Sequence, residues 1–186
     1  MSITDVNTTT ANQRTDLASA ALVAFGQHDD GLTTLYNVDL GASPSHIQYN
    51  GIGRVGIRFD AGASGIDSSV KSVWVRFRKY GNPTGNITIG VRKASDDSLV
   101  TIGTWPIESF SPAATEQSFV ARLRSNTYQM VTNDVVSVEF PSNATNGLEI
   151  STSTTEGNPT GYTGRSHNGT AWSYTTDPPA ITIKGA

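Results

Sequence analysis

Apolar side chains recur at every second position of this chain, in short runs separated by turn residues. The clearest run is VKSVWVRFRKYGNPTGNITIGVRK, from Val70 to Lys93. In it Val73, Val75 and Phe77 alternate with Trp74, Arg76 and Arg78, and Ile87, Ile89 and Val91 alternate with Thr88, Gly90 and Arg92. A period of two sends successive side chains to opposite faces, so each segment predicts a strand with an apolar inner face and a polar outer one. Gly81-Asn82-Pro83-Thr84-Gly85 lies between them, with a Pro that presets φ and Gly residues that relieve the turn. The pattern therefore predicts a β-hairpin whose register that turn fixes.

The same alternation predicts strands over Leu35–Leu40, Ile47–Tyr49, Arg54–Phe59, Leu99–Trp105 and Phe119–Arg124, and around Val136, Val138 and Phe140 before Pro141. Shorter ones are expected at Leu148 and Ile150 and at Ile181 and Ile183 after Pro178-Pro179. Ser151–Thr170 reads as a long polar loop, and the second GNPTG, Gly157–Gly161, as reuse of a good turn. Helical spacing is confined to the region before residue 26, where Thr15-Asp16 can cap a short helix with Leu17, Ala21 and Phe25 on one face. The same segment could instead add a strand to a neighbour. Nine or ten short strands joined by turn chemistry predict an all-β fold, a two-sheet antiparallel β-sandwich of jelly-roll type. Residues 1–27 read as an N-terminal arm and 28–186 as the body.

At 186 residues the chain can bury a core without covalent staples, and it contains no cysteine, so stability rests on packing and sheet hydrogen bonds. A formal charge of −3 gives no basic footprint, which argues against nucleic acid as a partner. Only 16% of residues are charged while Thr, Ser, Asn and Gly abound, which suits an exposed all-β protein better than a cytosolic enzyme. The apolar run Ala20–Phe25 is too short to insert in a membrane and makes a poor secretory signal. The expected location is extracellular or the virion surface, reached by a route such as particle release or with a leader outside this sequence.

Most catalytic signatures fail on inspection. Gly51-Ile52-Gly53-Arg54-Val55-Gly56 matches G-x-G-x-x-G, but a strand pattern follows it where dinucleotide binding needs a helix N-terminus. His28, His46 and His167 are scattered outside any metal-ligand spacing, and no G-x-S-x-G elbow occurs. Glu108, Glu116, Glu139 and Glu149 could supply a glycosidase pair only by arbitrary choice, and Glu139 reads as a solvated strand-face residue. No cofactor is expected. The one ion the loops suit is a structural calcium, through Asp29, Asp30, Asp60, Asp67, Asp96, Asp97 or Asp177, none in an EF-hand pattern. Aromatics are the better functional clue: Trp74, Trp105, Trp172, Tyr128, Tyr162 and Tyr174 could stack on sugar rings while nearby polar groups bind hydroxyls.

From about Ile52 to Lys184 the chain resembles the carbohydrate-binding-module-like jelly-roll domains of secreted, cell-surface and virion proteins. The resemblance rests on VWVRFRKYGNPTGNITIGVRK, ASDDSLV, VTNDVVSVEF and a late AWSY before the closing strand. It implies a non-catalytic protein that binds glycans or builds surface assemblies. The first expectation is a structural subunit that self-associates, or joins other subunits, through the jelly roll and the arm, with Leu17, Ala21, Leu22 and Phe25 as subunit contacts. The alternative is a glycan-binding module using Trp74, Arg76, Arg78, Trp172 and Tyr174.

Overall fold

The computed structural model describes residues 31–38, 45–48, 52–110, 117–122, 126–143, 145–153 and 157–186. The chain divides at Leu32/Thr33, and residues 33–186 build an antiparallel β-sandwich. Its strands are β1 (Thr33–Tyr36), β2 (Ser45–Gln48), β3 (Ile52–Phe59), β4 (Val70–Tyr80), β5 (Asn86–Arg92) and β6 (Leu99–Pro106). They continue as β7 (Gln117–Arg122), β8 (Val135–Pro141), β9 (Gly147–Thr152), β10 (Tyr162–His167), β11 (Trp172–Tyr174) and β12 (Ile181–Gly185). The helical content among the described residues is one 3-10 turn, Ile107–Ser109, and no helix there is long and apolar enough to cross a membrane.

β4 is the axis of the first sheet. Ser72–Val75 pair with both β7 and β12, and Phe77 pairs with both β7 and β9. A strand has two edges, so β7 takes one while β12 and β9 share the other end to end, β1 and β2 flanking them. The second sheet runs β11-β10-β3-β8-β5-β6. Val73, Val75 and Phe77 of the first sheet meet Val55, Ile57, Phe59, Ile87, Ile89, Val136 and Val138 of the second in one buried core. The two-sheet sandwich predicted from alternation is the fold.

The predicted hairpin is not. β4 belongs to the first sheet and β5 to the second, so Gly81–Gly85 carries the chain across the sandwich instead of folding it back. Gly81 adopts φ +59°, and a Cβ there would run into the Thr145 carbonyl. Other loops hold the crossing: Gly85 N–H donates to Glu108 at 3.0 Å, Ile107 N–H to the Gly85 carbonyl at 2.8 Å, and Asn82 N–H to Asn146 Oδ1 at 2.7 Å. β5 pairs with β6 and β8 instead. A second correction concerns Ser151–Thr170, which is not a continuous loop but contains β10, paired to β3 from Tyr162 through His167. Its inward positions Gly164 and Ser166 carry no apolar side chain, which removed the period-two signal.

Two buried polar groups pin loops to this frame. Asp134 is fully buried and accepts from Ala94 N–H at 2.9 Å, Val131 N–H at 3.0 Å and the Tyr128 hydroxyl at 2.9 Å. It thereby ties the β5–β6 turn to the start of β8. The Tyr128 hydroxyl, desolvated and beside that carboxylate, has its pKa pushed up to about 12. Lys79 turns inward at the margin of the core and donates from Nζ to the carbonyls of Ile107 and Phe110, at 3.2 and 2.9 Å.

Candidate functional site

Cross-strand partners share a face, so the pairing registers define what the second sheet shows to solvent. One row across it is His167, Arg54, Glu139 and Thr88; a parallel row is Thr163, Arg58, Val135 and Arg92. Between them runs Arg165, Gly56, Ser137 and Gly90, a row with almost no side-chain bulk after its first member. Gly56 is required there, because a Cβ would meet the Val136 carbonyl and the Val135 side chain. At the β10 edge, β11 adds Trp172 opposite His167 and Tyr174 opposite Arg165.

The thin middle row lets long side chains lie across the sheet. Arg92 reaches past Gly90 and Ser137 to Glu139 and binds it with a two-pronged pair, Nε to Oε1 and Nη2 to Oε2, both 2.7 Å. Ser137 Oγ donates to the same carboxylate at 3.0 Å, and Arg54 Nε stands 3.4 Å from Oε2. This pairing, offset by desolvation, raises the Arg92 pKa above its ordinary value. Asp97, held at φ +55° in the β5–β6 turn, extends the network. Its carboxylate is 3.5 Å from Arg54 Nη1 and accepts Trp172 Nε1–H at 3.0 Å, while its carbonyl accepts Arg92 Nη1 at 2.7 Å. His167 packs edge-on to Trp172 with centroids 5.1 Å apart. Its Nδ1 accepts Gly169 N–H at 3.0 Å, and burial, helped by Arg54, lowers its pKa below the ordinary value.

Beside this network opens a pocket of 230 Å³, lined chiefly by Arg58, Arg92, Lys93, Asp97, Arg165 and Trp172. Arg58 is matched by Asp60, Nε to Oδ1 at 2.5 Å, and Arg92 by Glu139. Arg165 is different. Its Nη2 donates to the Trp172 carbonyl at 3.4 Å, its buried Nε has no hydrogen-bond partner, and among the described residues no carboxylate is within ion-pair distance. Burial and the neighbouring Arg58 charge lower its pKa from the usual guanidinium value. Lys93 lies 5.5 Å over the Tyr128 ring and likewise has no ion-paired carboxylate among the described residues.

The sequence candidates fall on both sides of the molecule. Trp74, Arg76 and Arg78 line the outer face of the first sheet, opposite Thr182 on β12 or Val120, Ser118 and Glu149 on β7 and β9. Arg78 is ion-paired with Glu149, and Trp74 is half-buried with an enclosed Nε1. Trp172 and Tyr174 belong to the second sheet, so the five residues do not form one site. Leu17, Ala21, Leu22 and Phe25 lie outside the described residues. Among the described residues no three His, Asp or Glu side chains gather as metal ligands; Asp60 and Asp97 are engaged by arginine, and Asp96 Oδ1 accepts Ser98 N–H at 3.0 Å within its own turn. The G-x-G-x-x-G segment runs into strand β3, with no helix following. Arg54, Arg58, Arg92 and Arg165 were not singled out as site residues by sequence reasoning, and Asp97 was considered only as a calcium ligand. The available signal was the alternation itself, which already placed Arg54, Arg58 and Arg92 opposite core positions.

Compared with family models, curated proteins and solved structures, the chain matches none.

Proposed function

We propose that the chain is a non-catalytic binding module of an extracellular or viral assembly, which holds a glycan on the outer face of its second sheet. The observation that carries this reading is the pocket in which Trp172 stands beside several inward-converging polar groups, with the 58%-exposed Tyr174 next to it on the same edge strand. An aromatic ring offers a sugar apolar area to cover, while arginine, asparagine and carboxylate groups select hydroxyls. At 230 Å³ the pocket is smaller than the roughly 300–1,000 Å³ that encloses a drug-sized ligand, which suits one sugar unit of a longer chain. A binding role is favoured over hydrolysis because Glu139, Asp97 and Asp60, carboxylates on or beside this face, are all engaged by arginines. The strand orders β2-β9-β4-β7 and β3-β8-β5-β6 support the jelly-roll reading of the body. A glycan array on the full chain, followed by titration calorimetry on the best hit, tests the reading. Binding that Trp172→Ala weakens by about tenfold or more supports it; an array without a hit overturns it.

One observation favours a second role alongside the first, that of a structural subunit. The Thr- and Asn-rich first 27 residues carry too few apolar side chains to build a core of their own, and Leu17, Ala21, Leu22 and Phe25 are among those few. In this reading the segment joins copies of the chain by packing on a neighbour. Light scattering on the full chain and on residues 31–186 reads it out: an assembly that becomes monomeric on truncation supports it, and two monomers overturn it.

A further inference from the structure

We infer that the ligand of this pocket is an anionic sugar, bearing a carboxylate or a sulfate, and that Arg165 with Lys93 receives the charged group. The inference rests on the glycan reading and adds the class of sugar. The pocket is cationic in a chain of net charge −3: among the described residues Arg58, Arg92, Lys93 and Arg165 line it, against one carboxylate, that of Asp97. Two of the four are spoken for, Arg92 by Glu139 and Arg58 by Asp60. Arg165, half-buried, has no ion-paired carboxylate among the described residues, and a cation drawn even partly out of water is the better for an anionic partner. Its environment leaves that need standing, since desolvation and the Arg58 charge together outweigh the weaker support of Asp60, and its Nε is enclosed without an acceptor among the described residues. An incoming carboxylate or sulfate would be met at the Nη end of the guanidinium, where the Trp172 carbonyl at 3.4 Å is a weak partner, and that end can offer an anion two parallel hydrogen bonds.

The surroundings fit that arrival. Gly56, next to Arg165 in the cross-strand row, has no side chain to block the approach, and Tyr174 on the other side provides a ring for the sugar that carries the charge. Trp172 is oriented by its bond to Asp97, so ring and cation are held together before binding. An oligonucleotide is a poorer match, because a phosphate track calls for a basic groove along several nucleotides, whereas here the unpaired cations converge on one pocket.

The test is titration of the full chain with three matched oligosaccharides, one ending in glucuronate, one in a sulfated sugar and one in neutral glucose, with a single-stranded oligonucleotide as counter-probe. The expected result is that one or both anionic probes bind about tenfold or more tightly than the neutral one, and the stronger of the two identifies the charged group. Arg165→Gln and, separately, the more peripheral Lys93→Ala should each reduce that preference, with thermal unfolding to confirm that each variant folds. Equal binding of the neutral and anionic sugars overturns the anionic assignment and leaves the glycan reading standing. Binding to no sugar overturns both, and tighter binding of the oligonucleotide replaces the sugar with a polyphosphate.

Discussion

The outer faces of the two sheets start from the same ingredients and reach different ends. On the first, Trp74, Arg76 and Arg78 follow one another along a single strand, and Arg78 meets Glu149 on the adjacent strand. On the second, Arg54, Arg58, Arg92 and Arg165 come from three strands, and Trp172 joins them from a fourth. The first arrangement pairs neighbours at the surface, with Arg78 39% exposed. The second draws its charges inward, to side-chain exposures of 14% for Arg92 and 12% for Glu139. Residues gathered from distant segments can converge on a hollow; residues strung along one strand can only line it.

This difference should be largest in stability. Glu139→Ala would leave the partly buried Arg92 and Arg54 with only the more exposed Asp97, 4.0 and 3.5 Å away, and should cost about 2–3 kcal/mol, below the roughly 3–5 kcal/mol of breaking a fully buried pair. Glu149→Ala on the first sheet removes a pair with a well-exposed arginine, worth less than about 1 kcal/mol. Urea unfolding of both variants measures the contrast directly. Similar costs would mean that the two ionic surfaces are alike and that the second face is not specially built.

Next comes the contrast between the tryptophans. Trp172→Ala should weaken glycan binding by about tenfold or more while Trp74→Ala leaves it unchanged. The order should reverse in stability: the half-buried Trp74 loses packing worth about 1–2 kcal/mol when truncated, less than the cost for a fully buried aromatic. Calorimetric titration and urea midpoints on the same two variants give both readouts. A loss of binding in the Trp74 variant would move the site to the first sheet.

How much of this was legible in the sequence follows from what alternation encodes. A period of two reports that Val73 and Phe77 face a core and Trp74 faces away, and both are correct. It does not report which strand lies alongside. Val73 and Ile89 face the same core from opposite sheets, and their patterns are indistinguishable from those of hairpin partners. The Gly81–Gly85 turn misled for the same reason, since Pro and Gly suit a crossing as well as a reversal. β10 was hidden because Gly164 and Ser166 occupy its inward positions, and with it went Arg165, the residue on which the charge of the pocket turns. Trp172 and Tyr174 were visible as aromatics, but only the register with β10 sets them beside arginines.

The smallest expected effect is the pH response of the second face, where a single proton is at stake. His167 is 5% exposed, uses Nδ1 to accept from Gly169 and has Arg54 nearby, so its folded pKa lies below the ordinary 6.5. In the unfolded chain the ring takes up a proton near 6.5, whereas in the folded chain it resists until a lower pH. Between those two values the unfolded state binds more protons, so stability rises with pH across that window. It is therefore fully present above 6.5 and declines as pH falls toward the folded pKa. His167→Gln keeps a polar side chain and removes the titration. The difference in urea midpoint between the two proteins should accordingly change from about pH 7.5 to pH 5.5, the wild type losing more. Parallel curves would place the imidazole in an environment no different from water and remove the support it gives to a buried, preorganised wall beside Trp172.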